Sequence, residues 1–229
     1  MRRLAFVVNP IAGMGGRVGL KGTDGKVEEA RRRGAKRRAP DRAAEMLREL
    51  ADIGGEFSLL SYGEPMGAAL AREAGFEPTV VGEPAATETT AGDTRDAVRA
   101  FLEHDPDLVL FVGGDGTAAD VAETLAAEGS DCPILGVPAG VKVYSSVFSV
   151  TPDAAAHIAV SFDSTERAEV NDIDEDAFRG GEVVTELRAV ATVPVADQRQ
   201  SAKQLGGGSV ESLAESVADA VEPGVTYVL

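Results

Sequence analysis

The chain has no tryptophan, one cysteine, two histidines and an aromatic fraction of only 5% in 229 residues. A single cysteine, Cys132, permits neither an intrachain disulfide nor a multi-cysteine metal site, and His104 and His157 are too few to build a zinc cluster. No metal-ligating set is therefore expected in the chain itself. Cys132, placed just ahead of the apolar run PILGV, reads as a small hydrophobe of the core. Long hydrophobic runs are also missing: the 44% of apolar residues come in short stretches, none near the roughly 20 residues of a membrane span. The N-terminal MRRLAFVVNP has an apolar stretch too short for the core of a signal peptide. The expectation is a cytoplasmic globular protein with no membrane partner.

Lysine is scarce as well. Only Lys21, Lys26, Lys36, Lys142 and Lys203 occur, against 38 Asp and Glu, for a net charge of −16. The charge is unevenly placed: residues 1–50 hold 13 Lys/Arg and 6 Asp/Glu, a balance of +7, while the remaining 179 hold 9 and 32, a balance of −23. Many carboxylates, few lysines and abundant alanine suggest a halophilic protein kept soluble by an acidic surface at high salt. So acidic a chain with so few aromatics does not suit nucleic acid.

What is present is an alternation. RLAFVV (3–8), EFSLLSY (56–62), PTVVG (78–82), DLVLFVGG (107–114) and CPILGVP (132–138) read as strands. DRAAEMLRELAD (41–52), GEPMGAALAREAG (63–75), DTRDAVRAFLEH (93–104, capped by Asp93 or Thr94) and TAADVAETLAAEG (117–129) read as helices. Strands apolar on both faces and separated by helices predict an open parallel α/β sheet over residues 1–150. The pattern then changes. After a helix in TPDAAAHIAVSF, the segments EVNDID and EVVTELRAVATVPVAD and the turn LGGGS predict a smaller, mainly β second domain over 151–229. VESLAESVADAVE reads as one more helix, and the terminal VTYVL either as a closing strand or as a strand whose following loop is missing, in which case the second domain is truncated.

Ligands of open parallel sheets bind beyond the carboxyl ends of the strands, and three glycine-containing loops fall there: NPIAGMGGRVGLKGTDG, GGDGT and GVPAGVK. Glycine lets backbone amides approach an anion, and the helix starting near Thr117 directs its positive end at the same place. This is phosphate-binding chemistry, although neither G-x-x-x-x-G-K-[ST] nor G-x-G-x-x-G occurs in the first loop. Asp115, set between Gly114 and Gly116, is unfavourable beside phosphates unless a cation or a substrate hydroxyl meets it. It can hold Mg²⁺ or accept the proton of an attacking alcohol. An Asx-turn alone would also explain Gly-Asp-Gly; the doubled glycine, the preceding strand and the following helix favour the chemical role. The run EEARRRGAKRRAPDR carries seven basic residues between 31 and 42, readable as a solvated helix face or as a cradle for ATP or polyphosphate.

NPIAG, FVGGDGT and GVPAGVKVYSSVF together resemble the superfamily of NAD kinases, diacylglycerol kinases and sphingosine kinases, with NPIAGMGGRVGLKGTDG and TTAGDTRDA closest to its ATP-NAD kinase-like, AcoX-like members. The resemblance implies a two-domain kinase that transfers a phosphoryl group from ATP or polyphosphate, with Mg²⁺, to the 2′-hydroxyl of NAD. It implies that Asp115 activates that hydroxyl. Gly113, Gly114, Gly116 and Thr117 would form the nucleotide loop, and Asn9 would line the same pocket. Gly13, Gly15, Gly16, Lys21, Gly140 and Lys142 complete the expected nucleotide contacts. Where NAD kinases carry an Asn-Glu pair that grips NAD, this chain has Asn171-Asp172, a loose substitute. Two rival readings are a superfamily kinase with a lipid or small-molecule acceptor, and a non-catalytic nucleotide-binding AcoX-like protein linked to acetoin catabolism. Family members assemble into dimers and tetramers, so a homo-oligomer is compatible with either.

Overall fold

The computed structural model describes residues 1–14, 27–86, 88–140, 142–173 and 185–200. Strand β1 (Arg2–Val8) leads to the short helix α1 (Val27–Arg32) and to α2 (Ala39–Ile53). Then follow β2 (Phe57–Ser61), α3 (Ala68–Glu73), β3 (Thr79–Val80), α4 (Ala91–Leu102), β4 (Leu108–Gly113), α5 (Asp115–Ala127), β5 (Ile134–Pro138) and α6 (Pro152–Ser161). The hairpin-like pair β6 (Thr165–Ile173) and β7 (Thr185–Pro194) completes the described elements. The first five strands form one parallel sheet in the order β3-β2-β1-β4-β5, and β6 and β7 a separate antiparallel pair. The α/β expectation and the small β unit after it are both met. LGGGS, VESLAESVADAVE and VTYVL lie outside the described residues.

Period-two alternation sorts the strands onto two faces. Leu4, Phe6 and Val8 of β1, with Leu108, Leu110 and Val112 of β4, meet Ala43, Met46, Leu47 and Leu50 of α2 and Ile158 of α6. Ala5, Val7, Val109 and Phe111 face the other way, against Val98 and Phe101 of α4 and Val121 and Leu125 of α5. All six residues of β4 are buried, as a strand covered on both faces must be. Cys132 is partly buried and packs against the second of these clusters, as expected.

Four helices start away from the sequence expectation, the first being α2, which begins at Ala39 with Pro40 in its first turn rather than at Asp41. The segment at 63–75 is helical only from Ala68, because Gly63 and Met66 close a turn (2.7 Å) and Gly67 sits at φ 143, where a β-carbon would come 2.9 Å from the Ser61 hydroxyl and 3.1 Å from the Phe6 ring. Helix α4 starts earlier, at Ala91, because Thr90 rather than Asp93 or Thr94 is its N-cap: Asp93 is the third helical residue and returns its carboxylate to the Thr90 amide at 2.8 Å, a capping box. Helix α5 begins at Asp115 itself, two residues before Thr117.

The antiparallel pair packs on α5 through Ala168 and Val170 of β6 and Ala191 and Val193 of β7, which share a core with Ala118, Val121 and Ala122. The register shifts by one residue between Val170 and Asn171, leaving Arg188 opposite no residue, and Arg188 reaches back to Glu123 of α5 at 2.8 Å. Among the described residues no helix is long and apolar enough to cross a membrane.

Candidate active site

The carboxyl ends of β1, β4 and β5 lie side by side, running from the central strand of the sheet to one edge. The Asn9 amide donates to the Val112 carbonyl (3.0 Å) and the Ala139 amide to the Gly113 carbonyl (2.9 Å), so the three loops that follow start in contact. The chain winds from β1 to β2 and β3 on one side and to β4 and β5 on the other, so the β1/β4 boundary is the switch point where ligands of such sheets bind.

Gly113 ends β4 and Gly114 caps α5 without a side chain. The helix's first amides have no partner within the helix, and its N-terminal end carries positive charge. A β-carbon on Gly113 would fall 2.5 Å from the Thr117 side chain, so only glycine lets the strand turn this tightly into the helix. Gly116 is different: no atom lies within 4 Å of the place its β-carbon would take, which leaves the helix end open. Asn9 is held in position from both sides of its amide, with Nδ2 donating to Thr117 Oγ1 (3.1 Å) and Oδ1 accepting from the Ile11 amide (3.2 Å). Gly13, at φ 79, lies on the turn that follows. Gly15, Gly16 and Lys21 are outside the described residues.

Asp115 is the first residue of α5 and is buried. Its Oδ1 accepts from the Tyr144 amide (3.1 Å), the Ser145 amide (2.9 Å) and the Ser145 hydroxyl (2.6 Å), whereas Oδ2 accepts only from the Tyr144 amide (2.9 Å). One oxygen is thus occupied and the other keeps a lone pair for a further proton or cation. Burial pushes the Asp115 carboxyl above the ordinary aspartate value; the Ser145 and Tyr144 hydrogen bonds oppose this, and the nearby Asp172 carboxylate adds to it. A raised carboxyl in a glycine-lined cleft is what a general base needs.

The Ser145 hydroxyl also accepts from the Asn171 amide (3.0 Å) and lies 2.9 Å from the Asn171 carbonyl. Ser146 does the same with Glu169, its amide donating to the Glu169 carbonyl (3.0 Å) and its hydroxyl accepting from the Glu169 amide (3.1 Å). These two serines fasten β6 beside Asp115 and bring Asn171-Asp172 to the site. Nothing local in the sequence revealed them; the only signal was a pair of small hydroxyls, YSS, directly after the third glycine loop.

Gly140 turns at φ 83 beside the Arg38 side chain, and Lys142 lies with Nζ 4.8 Å above the Tyr144 ring. Thr90 and Asp93 are explained by the capping box. Thr89 borders a pocket of about 210 Å³ together with Pro10, Ile11, Arg31, Arg37 and Pro65.

A parallel sheet with its site at the switch point, glycine turns after β4 and β5 and a buried aspartate at the start of a helix define an α/β protein of the nucleotide-binding kind. The family model for the ATP-NAD kinase N-terminal domain matches residues 4–163, from β1 through α6, and the chain belongs to that family. No curated protein matches it.

Proposed function

We propose that the chain transfers a phosphoryl group from ATP or polyphosphate to the 2′-hydroxyl of NAD, giving NADP. The observation that carries this is Asp115: a carboxylate whose Oδ1 is anchored by Tyr144 and Ser145 and whose Oδ2, held only by the Tyr144 amide, keeps a lone pair, at the N-terminal end of a helix with no side-chain cap. Membership in a kinase family supports it. The remaining lone pair of Oδ2 takes the proton of the attacking hydroxyl, which general-base catalysis makes worth about 10²–10⁴ in rate. The open space over Gly116 and the α5 amides suit the donor's phosphates, and Asn9 and Thr117 set the floor of that cleft. Gly13 and Gly140 provide backbone turns at its rim, and Lys142 a cation. Among the described residues no cluster of three metal-ligating side chains occurs, so Mg²⁺ would be held mainly by the donor's own phosphate oxygens, where it would supply charge neutralisation on the transferring group. Residues 1–150 would bind nucleotide, and β6, through Asn171-Asp172, would meet the acceptor.

The test is NADP formation from NAD, Mg²⁺ and either ATP or polyphosphate in molar KCl, with Asp115→Asn alongside. An asparagine oxygen in the place of Oδ1 keeps three of the four hydrogen bonds, so the variant should fold while losing at least 10²-fold in turnover. Undiminished turnover in a folded Asp115→Asn protein would remove the general-base role. NAD binding without turnover in either protein would favour the non-catalytic AcoX-like reading.

A further inference from the structure

Carboxylates outnumber cations in this chain by 38 to 22, so an arginine or lysine finds an acidic partner easily. The described arginines outside residues 36–38 all have a hydrogen-bond or ion-pair partner. Arg2, Arg3 and Arg48 donate to backbone carbonyls. The others sit within ion-pair distance of Asp or Glu, including Arg31 and Arg42 of the basic run, paired with Glu28 and Glu45 at 2.8 Å. Among the described residues four Lys and Arg side chains remain with neither an ion pair nor a hydrogen bond: those of Lys36, Arg37, Arg38 and Lys142, the last touching only the Tyr144 ring.

Three of the four are consecutive in the chain, and the last of these, Arg38, meets the loop that carries Lys142. Arg38 ends the α1–α2 loop, and its Cδ lies 3.2 Å from where a β-carbon on Gly140 would stand. Lys142 follows Gly140 by two residues and stacks on Tyr144, whose amide holds Asp115. Arg37 borders the pocket behind Pro10 and Ile11. The unpaired charge therefore touches the β5 loop through Arg38 and Lys142, one residue contact from Asp115 by way of Tyr144, and the start of the β1 loop through Arg37.

We propose that Lys36, Arg37 and Arg38, with Lys142, bind the phosphate chain of the phosphoryl donor. The proposal rests on the phosphotransferase reading and names its donor subsite. A linear chain of phosphates matches a row of cations with arginine forks, which take two phosphate oxygens at once. A nucleic acid does not match, because its long backbone would have to cross the surrounding acidic surface. The triphosphate of ATP and inorganic polyphosphate share this chemistry, and the two are separated by the assay.

The experiment compares the wild type with R37Q/R38Q, which keeps much of the Arg38 stem over Gly140, after equal melting temperatures are confirmed. Inorganic tripolyphosphate is titrated calorimetrically, and KM is measured for NAD, ATP and a long polyphosphate. The expected result is a loss of tripolyphosphate affinity of roughly tenfold or more, since hydrogen bonds to charged groups are the strong ones, with the KM for NAD unchanged. An equal rise in KM for both donors marks a site for the common triphosphate end; a rise for polyphosphate alone marks a site for the chain beyond it. Tripolyphosphate affinity unchanged by the substitutions, or absent in the wild type, overturns the proposal. Because tripolyphosphate binding is read without turnover, a wild type that binds it but makes no NADP refutes the acceptor assignment while leaving this subsite standing.

Discussion

Replacing Ser145 by alanine isolates a single hydroxyl that serves two partners. In the wild type it donates to Asp115 Oδ1 at 2.6 Å and accepts from the Asn171 amide at 3.0 Å. The variant loses a hydrogen bond to a charged group, worth about 1.5–3 kcal/mol, and leaves the Asn171 amide unpaired at a cost of about 1–3 kcal/mol unless water replaces the hydroxyl. For a chain of this size each kcal/mol shifts the midpoint by about 2–4 °C, so Tm should fall on the order of 5–25 °C. A structural serine would give that much. The pH dependence separates the roles. Burial already raises the Asp115 pKa and the Ser145 bonds counter it, so removing the hydroxyl raises it further. A base works only when deprotonated, so the rising limb of kcat/KM against pH should move to higher pH in Ser145→Ala and return with Ser145→Thr. The stability linkage has the same direction: a carboxyl raised above its unfolded value favours folding below that value, and this contribution is lost as pH rises through the folded pKa. The deficit of Ser145→Ala should therefore be larger at pH 8 than at pH 4. A lower Tm with an unmoved pH–rate limb would refute the link between Ser145 and the base.

Asp93→Ala should destabilise α4 by about 1–2 kcal/mol, the usual worth of a cap. Burial alone would raise the Asp93 carboxyl, but the Ala85 and Thr90 amides and the Thr90 hydroxyl bring it below the ordinary value. Its contribution is thus present above the unfolded value of 3.8 and lost as pH falls through the folded one, so the stability gap to wild type in urea melts should close on acidification. A gap constant into strong acid would contradict the assignment. Burial, with Asp107 nearby, pushes the Cys132 thiol up to about 12, and the native protein at pH 8 should resist iodoacetamide while the urea-unfolded chain labels quickly. Fast native labelling would show that the thiol is accessible and ionised.

The sheet was legible because its evidence is local. Runs such as VLFV in β4 are apolar at every position, and the helices between them carry their own periodicity. Asp115 was legible for a related reason, since the glycines that make its turn possible are its neighbours. The rest depends on contacts between distant positions. Ser145 reaches Asp115 across 30 residues, and nothing near either one records the pairing. Thr90 escaped notice as a cap because the acidic residue three positions later was the more conspicuous candidate; the cap needs both. The basic run looked uniform in the sequence and is not. Glu28, Glu29 and Glu45 neutralise its two ends, and only the central residues 36–38 are left unclaimed, a distinction that ion-pair geometry makes and composition does not.

The serines fasten β6 entirely through its main chain: Ser145 to the peptide of Asn171 and Ser146 to the peptide of Glu169. Side-chain identity at positions 169 and 171 is therefore decoupled from the joint that holds the strand beside Asp115. A library randomised at those two codons could explore new acceptor preferences without having to rediscover how the strand docks. Variation at Ser145 or Ser146 would instead cost fold and chemistry together, which makes the first set of positions the natural ground for divergence and the second its fixed frame.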